Sequence, residues 1–378
     1  MRRTLLSLIA TAVASAGGAV FSQAPPGVAR NQEAPAVLFE APPLKAEAGF
    51  TATLVVPPGT MEDPLSVLAR PDGIVWVNDD GGVAGRNGGY VWRVDRKGQV
   101  SKLVAEHQAM PSIGIDVAPK GFGRWGGDLF TVATPTSLRQ AVREAHLIQR
   151  IPARGRGATE TICTLPNHGT INGGVPGAGT DARFGPPGSP FANRFFVITI
   201  LNNSMYQVTP DGRCAPFATF DGGPQGLAFS ADGLTMFVTV RRGAVGITRT
   251  ANMRAAIMRV APDGTIAPAP VFERAAPMIK RIAVAPKGFG PYAGDIFFTD
   301  WGESFSEGPD TAVKWDGTLW RLARNGTAHL VASGFSNPAG IAFSGRSIFV
   351  ADVNRDGPFW QGKWVAEGFL ARIDLDAR

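Results

Sequence analysis

Apolar residues along this chain fall in short alternating runs, and the runs recur in a fixed order. The unit reads Pro-x-Gly-(apolar)-Ala-Phe, then a Gly turn, then (apolar)-Phe-Val-x-Asp. Its clearest copy is NPAGIAFSGRSIFVAD, from Asn337 to Asp352. Others are PQGLAFSADGLTMFVTV from Pro224, KRIAVAPKGFGPYAGDIFFTD from Lys280 and PSIGIDVAPKGFGRWGGDLFTVAT from Pro111. Each is followed by a further short strand, such as LWRLARNG, MYQVTPDG, IMRVAPDG or VWRVDRKG. Alternation with a period of two predicts strands, and self-similarity at this spacing predicts an all-β fold, a β-propeller.

The repeats parse into strands a to d of successive blades. In the last unit, strand a is Gly340–Phe343, b is Ile348–Ala351 and c is Leu370–Ile373, after which the chain ends. The alternating segment Phe50–Val56 has no unit of its own. It is therefore expected to supply the missing d strand and close the ring, since an open ring leaves unpaired edges. Units start near Asp63, Pro111, Asp181, Pro224, Pro277 and Asn337, which makes a six-bladed β-propeller. The third unit is the least regular, its inner strand resting on Ala182–Phe184 beside Pro186, Pro187 and Pro190. Five blades with a large insertion is the alternative.

This parse sorts the loops. The a–b and c–d connections are short turns such as Arg-Pro-Asp-Gly and Arg-Asn-Gly, on one face. The d–a and b–c connections lie on the opposite face, around the channel mouth. The b–c stretches Asn78–Gly89, Ala133–Ala145, Val240–Ala255, Asp300–Gly317 and Asp352–Gly368 are long, as is the d–a stretch Pro166–Thr180. Long loops on a rigid scaffold are where ligand sites usually reside, so a ligand is expected at the mouth.

Composition adds a compartment. Arg2 and Arg3, the apolar run Leu5–Val13 and small residues before Ala16 and Ala24 read as a secretory signal peptide over residues 1–24, implying export to the periplasm or the extracellular space. Residues 25–48 are Pro- and Ala-rich and read as a flexible lead-in, and residues 49–378 form the propeller. No later segment is long and apolar enough to span a membrane. The net charge of +6 is modest and shows no basic run interleaved with aromatics, which argues against nucleic acid. The two cysteines, Cys163 and Cys214, fall in outer strands of neighbouring blades; in an exported protein they form either a disulfide or two free thiols.

At the mouth, residues divide by charge. Blades 5, 6 and 1 contribute Glu62, Asp79, Asp80, Asp300, Glu303, Asp352 and Asp356. Blades 2 to 4 contribute Arg139, Arg143, Arg183, Arg241 and Arg242, and Lys280 and Arg281 extend the basic side. Clustered carboxylates suit a divalent cation such as Ca²⁺. Glu62, Asp80, Asp300 and Asp352 are candidate metal ligands, although an Asp closing strand b can also simply fasten a turn. An arginine rim suits a carboxylate or phosphate, which makes Arg139, Arg183, Arg241, Arg242 and Arg281 candidate substrate arms. His107 and His168 lie in d–a loops and are candidate general bases beside Asp79. No Gly-x-Ser-x-Gly, His-Glu-x-x-His, CxxC pair or P-loop occurs, which disfavours the corresponding hydrolases.

The blade motif, with Asn-Pro-Ala-Gly-Ile-Ala-Phe…Ile-Phe-Val-Ala-Asp, resembles a six-bladed group. It includes NHL-repeat proteins and the senescence-marker-protein/gluconolactonase/strictosidine synthase-like superfamily. The lactonases of that group hold a divalent cation with a Glu from Glu-Gly-Pro, two Asn and an Asp. Glu62-Asp63-Pro64 looks similar to the first element. Pro224-Gln225-Gly226 stands where the group has Pro-Asn-Gly, which brings Gln225 in as a metal ligand by resemblance. Asn337-Pro338-Ala339-Gly340 has Ala where a ligand is expected. A weaker resemblance, to soluble PQQ-dependent sugar dehydrogenases, is carried by Ala48-Gly49-Phe50, PYAGDIFFTDWG and GFSNPAGIAF…ADVNRDG. The His-bearing motif of that family's catalytic blade is not evident here.

Three readings follow. One is a propeller binding a small polar or anionic molecule and acting as a metal-assisted lactone or ester hydrolase. The second is a PQQ-dependent oxidoreductase with Ca²⁺ beside the quinone. The third is a non-catalytic propeller with a small ligand or a protein partner on the long-loop face.

Overall fold

Short Asp-Gly and Asn-Gly turns reverse the chain between strands. At Arg70-Pro71-Asp72-Gly73, for example, Asp72 Oδ1 accepts the Ile74 N–H at 3.2 Å and Gly73 takes a φ of +75°. A side chain there would force a left-handed backbone that L residues rarely adopt. In the computed structural model the described residues are 41–79, 90–104, 109–135, 147–152, 159–165, 179–200, 202–243, 253–275, 279–302, 314–354, 359–360, 363–364 and 366–377.

Strands a to d form five four-stranded sheets and one five-stranded sheet, all antiparallel, which are the six blades. Blade 1 comprises Pro64–Ala69, Val75–Asp79, Tyr90–Val94 and Val100–Val104; blade 2, Ala109–Val117, Leu129–Pro135, Leu147–Ile151 and Glu160–Thr164. Blade 3 comprises Gly179–Phe184, Phe195–Thr199, Ser204–Val208 and Cys214–Thr219; blade 4, Gly222–Phe229, Met236–Arg242, Arg254–Val260 and Phe272–Arg274. Blade 5 comprises Ile279–Val284, Ile296–Asp300, Gly317–Leu322 and Ala328–Phe335. Blade 6 comprises Pro338–Ser344, Ser347–Asp352 and Gly368–Leu375, and its outer strand is Phe50–Met61 from the other end of the chain. The third unit is a true blade, so the five-blade alternative falls away.

One element departs from the sequence reading. Lys45–Ala46, placed in the flexible lead-in, pairs with Ser333 and Ala332 as a fifth strand on blade 5, and Leu44 packs against the apolar core there. The physical gain is a covered outer edge.

The core is divided among the blade interfaces, with one apolar cluster between each neighbouring pair. Phe122, Phe130, Phe184 and Phe195 fill the gap between blades 2 and 3, and Phe289, Phe297, Phe335 and Phe369 that between blades 5 and 6. Polar side chains stitch the same interfaces nearer the channel. Ser66 Oγ accepts Gly114 N–H at 2.8 Å, Asp116 Oδ2 accepts Phe184 N–H at 2.8 Å and Asp181 Oδ2 accepts Leu227 N–H at 3.1 Å. Arg281 Nη1 donates to the Gln225 carbonyl, Trp301 Nε1 to Pro338 O at 3.0 Å and Ser344 Oγ to Arg70 O at 2.9 Å, which completes the circuit.

Every inner strand also carries a register shift near its start: Pro64/Ser66, Pro111/Ile113, Gly179/Asp181, Pro224/Gly226, Ile279/Ile282 and Pro338/Gly340. A bulge re-aims the side chains beside it. Gln225, Lys280 and Arg281 lie at these bulges.

Candidate functional site

The basic wall spans blades 3 to 5. On the inner strand of blade 3, Arg183 Nη1 donates to Ile115 O at 2.8 Å, and its Nη2 lies 3.7 Å from Asp181 Oδ1. On the inner strand of blade 5, Lys280 Nζ sits 4.1 Å from the centre of the Trp301 ring. Arg281 beside it is 1% exposed. Burial pulls its pKa down to about 10; Asp181 opposes that fall and Arg183 adds to it. Arg281 therefore senses charges two blades away, past the inner strand of blade 4.

Asp181 and Asp116 belong to the same wall and were not singled out from sequence. Their signal was present: Asp181 and Arg183 alternate in an otherwise apolar inner strand. Burial raises the Asp116 pKa, against the lowering influence of Arg183 and of the Phe184 and Val117 N–H groups.

Arg241 and Arg242 separate. Arg241 is buried, its Nη2 donating to Met253 Sδ at 3.4 Å. Arg242 binds Asp221 at 2.7 Å and Glu273 at 2.6 Å, and Glu273 also pairs with Arg254. The hydrogen bonds that Arg242 donates to Asp221 and Glu273 raise its pKa. Successive strand residues point to opposite faces, so Arg242 meets the carboxylates of Asp221 and Glu273 while Arg241 is turned the other way.

The acidic side is largely engaged as well. Asp79 accepts the N–H groups of Glu62 and Asp63 at 3.0 and 2.8 Å and Trp92 Nε1 at 2.7 Å. Asp352 accepts the N–H groups of Ser336, Asn337 and Asn354 at 2.9, 3.0 and 2.6 Å. Both carboxylates fasten the end of strand b to the start of strand a in their own blade. The structure thus gives Asp79 and Asp352 a fastening role at the ends of their strands. Asp300 accepts Gly302 N–H at 3.0 Å and pairs with Arg274 of blade 4. Glu62 is half-buried at the start of blade 1, and Gln225 is fully buried with Oε1 unpartnered.

Among the described residues no group of three or more His, Cys, Asp or Glu side chains is placed to hold a metal ion. Asp80, His107, His168, Arg139, Arg143, Glu303 and Asp356 lie outside the described residues. Away from the mouth, Cys163 and Cys214 are joined as a disulfide between the outer strands of blades 2 and 3, with Cα atoms 6.3 Å apart. No helix among the described residues is long and apolar enough to cross a membrane.

Neither a protein-family model nor a curated protein matches the sequence. Several solved structures match the fold. A putative oxidoreductase (glucose dehydrogenase) from Thermus thermophilus is 16% identical with a TM-score of 0.57, covering 86% of this chain and 100% of its own. A gluconolactonase from Xanthomonas campestris is 15% identical with a TM-score of 0.54, covering 89% and 95%. A luciferin-regenerating enzyme is 12% identical with a TM-score of 0.55, covering 86% and 95%. At these identities the likeness is one of fold: the chain is a six-bladed β-propeller similar to gluconolactonase-like and oxidoreductase-like propellers.

Proposed function

We propose that this protein is an exported propeller that binds a small polar, anionic organic molecule at the mouth of its channel, on the wall built from blades 3 to 5. The observation that carries this reading is the buried charge of that wall. Arg183 and Arg281 are buried beside Asp181, which also accepts two backbone N–H groups, with Asp116 next to Arg183 and Lys280 one residue before Arg281 on its strand. A cation taken this far from water needs opposing charge close by. A ligand anion supplies it. Export rests on the leader and is supported by the Cys163–Cys214 bridge, which belongs to oxidising compartments.

Two chemistries compete on this wall. Metal-assisted lactone or ester hydrolysis gains support from the gluconolactonases of similar fold, although among the described residues no three His, Cys, Asp or Glu side chains stand together to hold the cation. A quinone-dependent sugar oxidoreductase is favoured by the wall itself. Arg183, Lys280 and Arg281 would hold the carboxylates of a PQQ-like cofactor, which would supply a two-electron acceptor. The putative glucose dehydrogenase of similar fold is in keeping with that chemistry.

The test is a thermal-shift series on the mature protein with gluconate, gluconolactone, PQQ and glucose, each with and without Ca²⁺. Stabilisation by the anions and not by glucose is expected. Stabilisation by glucose alone would overturn the reading. Dye reduction after addition of PQQ, or lactone hydrolysis, then separates the two chemistries.

A further inference from the structure

The guanidinium of Arg281 has one edge engaged and one edge bare. Nη1 donates to the Gln225 carbonyl on the neighbouring inner strand. Nε and Nη2 have no hydrogen-bond partner, although the side chain is 1% exposed. These two nitrogens lie on the same edge of the planar group, so their N–H bonds run side by side. That is the fork that grips the two oxygens of a carboxylate. Leaving it bare away from water is costly, more so for a charged donor than a neutral one.

Asp181 is not the acceptor that the fork awaits. Its Oδ1 takes the Ala182 N–H at 2.9 Å and its Oδ2 the Leu227 N–H at 3.1 Å, and it is the Arg183 guanidinium that stands 3.7 Å away. A second unmatched group lies on the residue whose carbonyl Arg281 holds. The Gln225 side chain turns its Nε2 toward Gly223 O at 3.5 Å, and its Oε1 is fully buried with no donor. One residue thus offers its backbone oxygen to Arg281 and a spare side-chain acceptor besides. A carboxylate alone satisfies the fork and leaves that acceptor empty. A carboxylate with a hydroxyl on a nearby carbon satisfies both.

We propose that Arg281 seats the carboxylate of a hydroxy acid through Nε and Nη2, and that Gln225 Oε1 accepts a hydrogen bond from a hydroxyl of the same molecule. This rests on the reading of the basic wall as the ligand site and narrows its ligand to hydroxycarboxylates.

The probes are glycerate and propionate, which share a three-carbon chain and a carboxylate but differ in their hydroxyls. Binding is measured by calorimetry on the mature protein and on Arg281→Lys and Gln225→Leu. Glycerate is expected to bind the parent protein several-fold more tightly than propionate. Arg281→Lys keeps the charge and loses the fork, so both acids weaken by about tenfold or more. Gln225→Leu brings glycerate down to the level of propionate and leaves propionate unchanged. Unchanged glycerate binding in a folded Arg281→Lys protein overturns the fork. Equal binding of the two acids by the parent protein overturns the role of Gln225. If Arg281→Lys does not fold, the Gln225→Leu comparison decides. Should PQQ or another anion bind while glycerate and propionate do not, this inference fails and the basic-wall reading stands; should no anion bind, both fail.

Discussion

Asp79 Oδ1 accepts the backbone N–H of Asp63 at 2.8 Å, and Asp352 Oδ1 accepts that of Asn337 at 3.0 Å in the equivalent place five blades on. Each carboxylate closes strand b onto the start of strand a, where the channel wall begins. Both are fully buried, so losing either leaves backbone donors without acceptors. Asp79→Ala and Asp352→Ala are each expected to destabilise the fold by about 3 kcal/mol or more. Urea unfolding measures it. A loss under about 0.5 kcal/mol would return these carboxylates to the candidate ligand site.

Asp352 also sets a pH dependence. Burial pushes its carboxyl up to about 6 from an ordinary 3.8, against three backbone N–H groups that favour the charged form. A folded-state pKa above the unfolded one means stability that is present below the unfolded pKa and lost as pH rises through the folded one. The window is therefore about pH 4 to 6, and the loss is about 3 kcal/mol. Glu367 is buried in the same cluster, its carbonyl accepting from Asn354 Nδ2 at 3.2 Å. Comparing the parent with Asp352→Asn isolates the aspartate. The stability of the parent relative to that variant should fall across this window; a flat difference contradicts the account.

The Cys163–Cys214 bridge closes a chain separation of 51 residues and ties blade 2 to blade 3. Restricting the unfolded chain over such a span is worth about 4 kcal/mol in the chain-entropy model, with measured bridges commonly nearer 2–4. The Cys163→Ser, Cys214→Ser double variant should melt several degrees lower than the parent. The two proteins should converge when the parent is reduced. Two free thiols in the native protein, found by thiol labelling under denaturing conditions, would remove the bridge from the argument.

Much of this ring was legible because its signals are local. Alternation fixes a strand, Asp-Gly and Asn-Gly fix the next turn, and Phe50–Val56 was left over for the last blade, where it pairs with Gly368–Leu375. Lys45–Ala46 was not legible. Two residues cannot show a period, and their partners Ser333 and Ala332 are remote in sequence. The site was legible in charge and not in direction. Arg241 and Arg242 read alike, as did Lys280 and Arg281, yet strand facing and the Ile279/Ile282 bulge give each a different neighbour. The fastening of Asp79 and Asp352 depends on backbone N–H groups, which sequence does not aim.

The close approach of blade 4 to blade 5 gives the most specific prediction. A Cβ added at Gly226 would meet Lys280 O at 2.8 Å, the Arg281 Cα at 3.0 Å and Ile282 N at 3.2 Å. These are backbone atoms, so the strand itself must move, and overpacking of this kind typically costs about 1–3 kcal/mol. The displaced strand carries both Lys280 and Arg281. Gly226→Ala is thus expected to lower stability by that amount and to weaken anion binding with it, although residue 226 has no side chain to contact a ligand. Gly288→Ala is the control, since a Cβ there meets nothing within 4 Å. Calorimetric titration with glycerate beside urea unfolding reads both effects. A Gly226→Ala protein that is destabilised yet binds the anion like the parent would show that the wall does not depend on the spacing of these two inner strands.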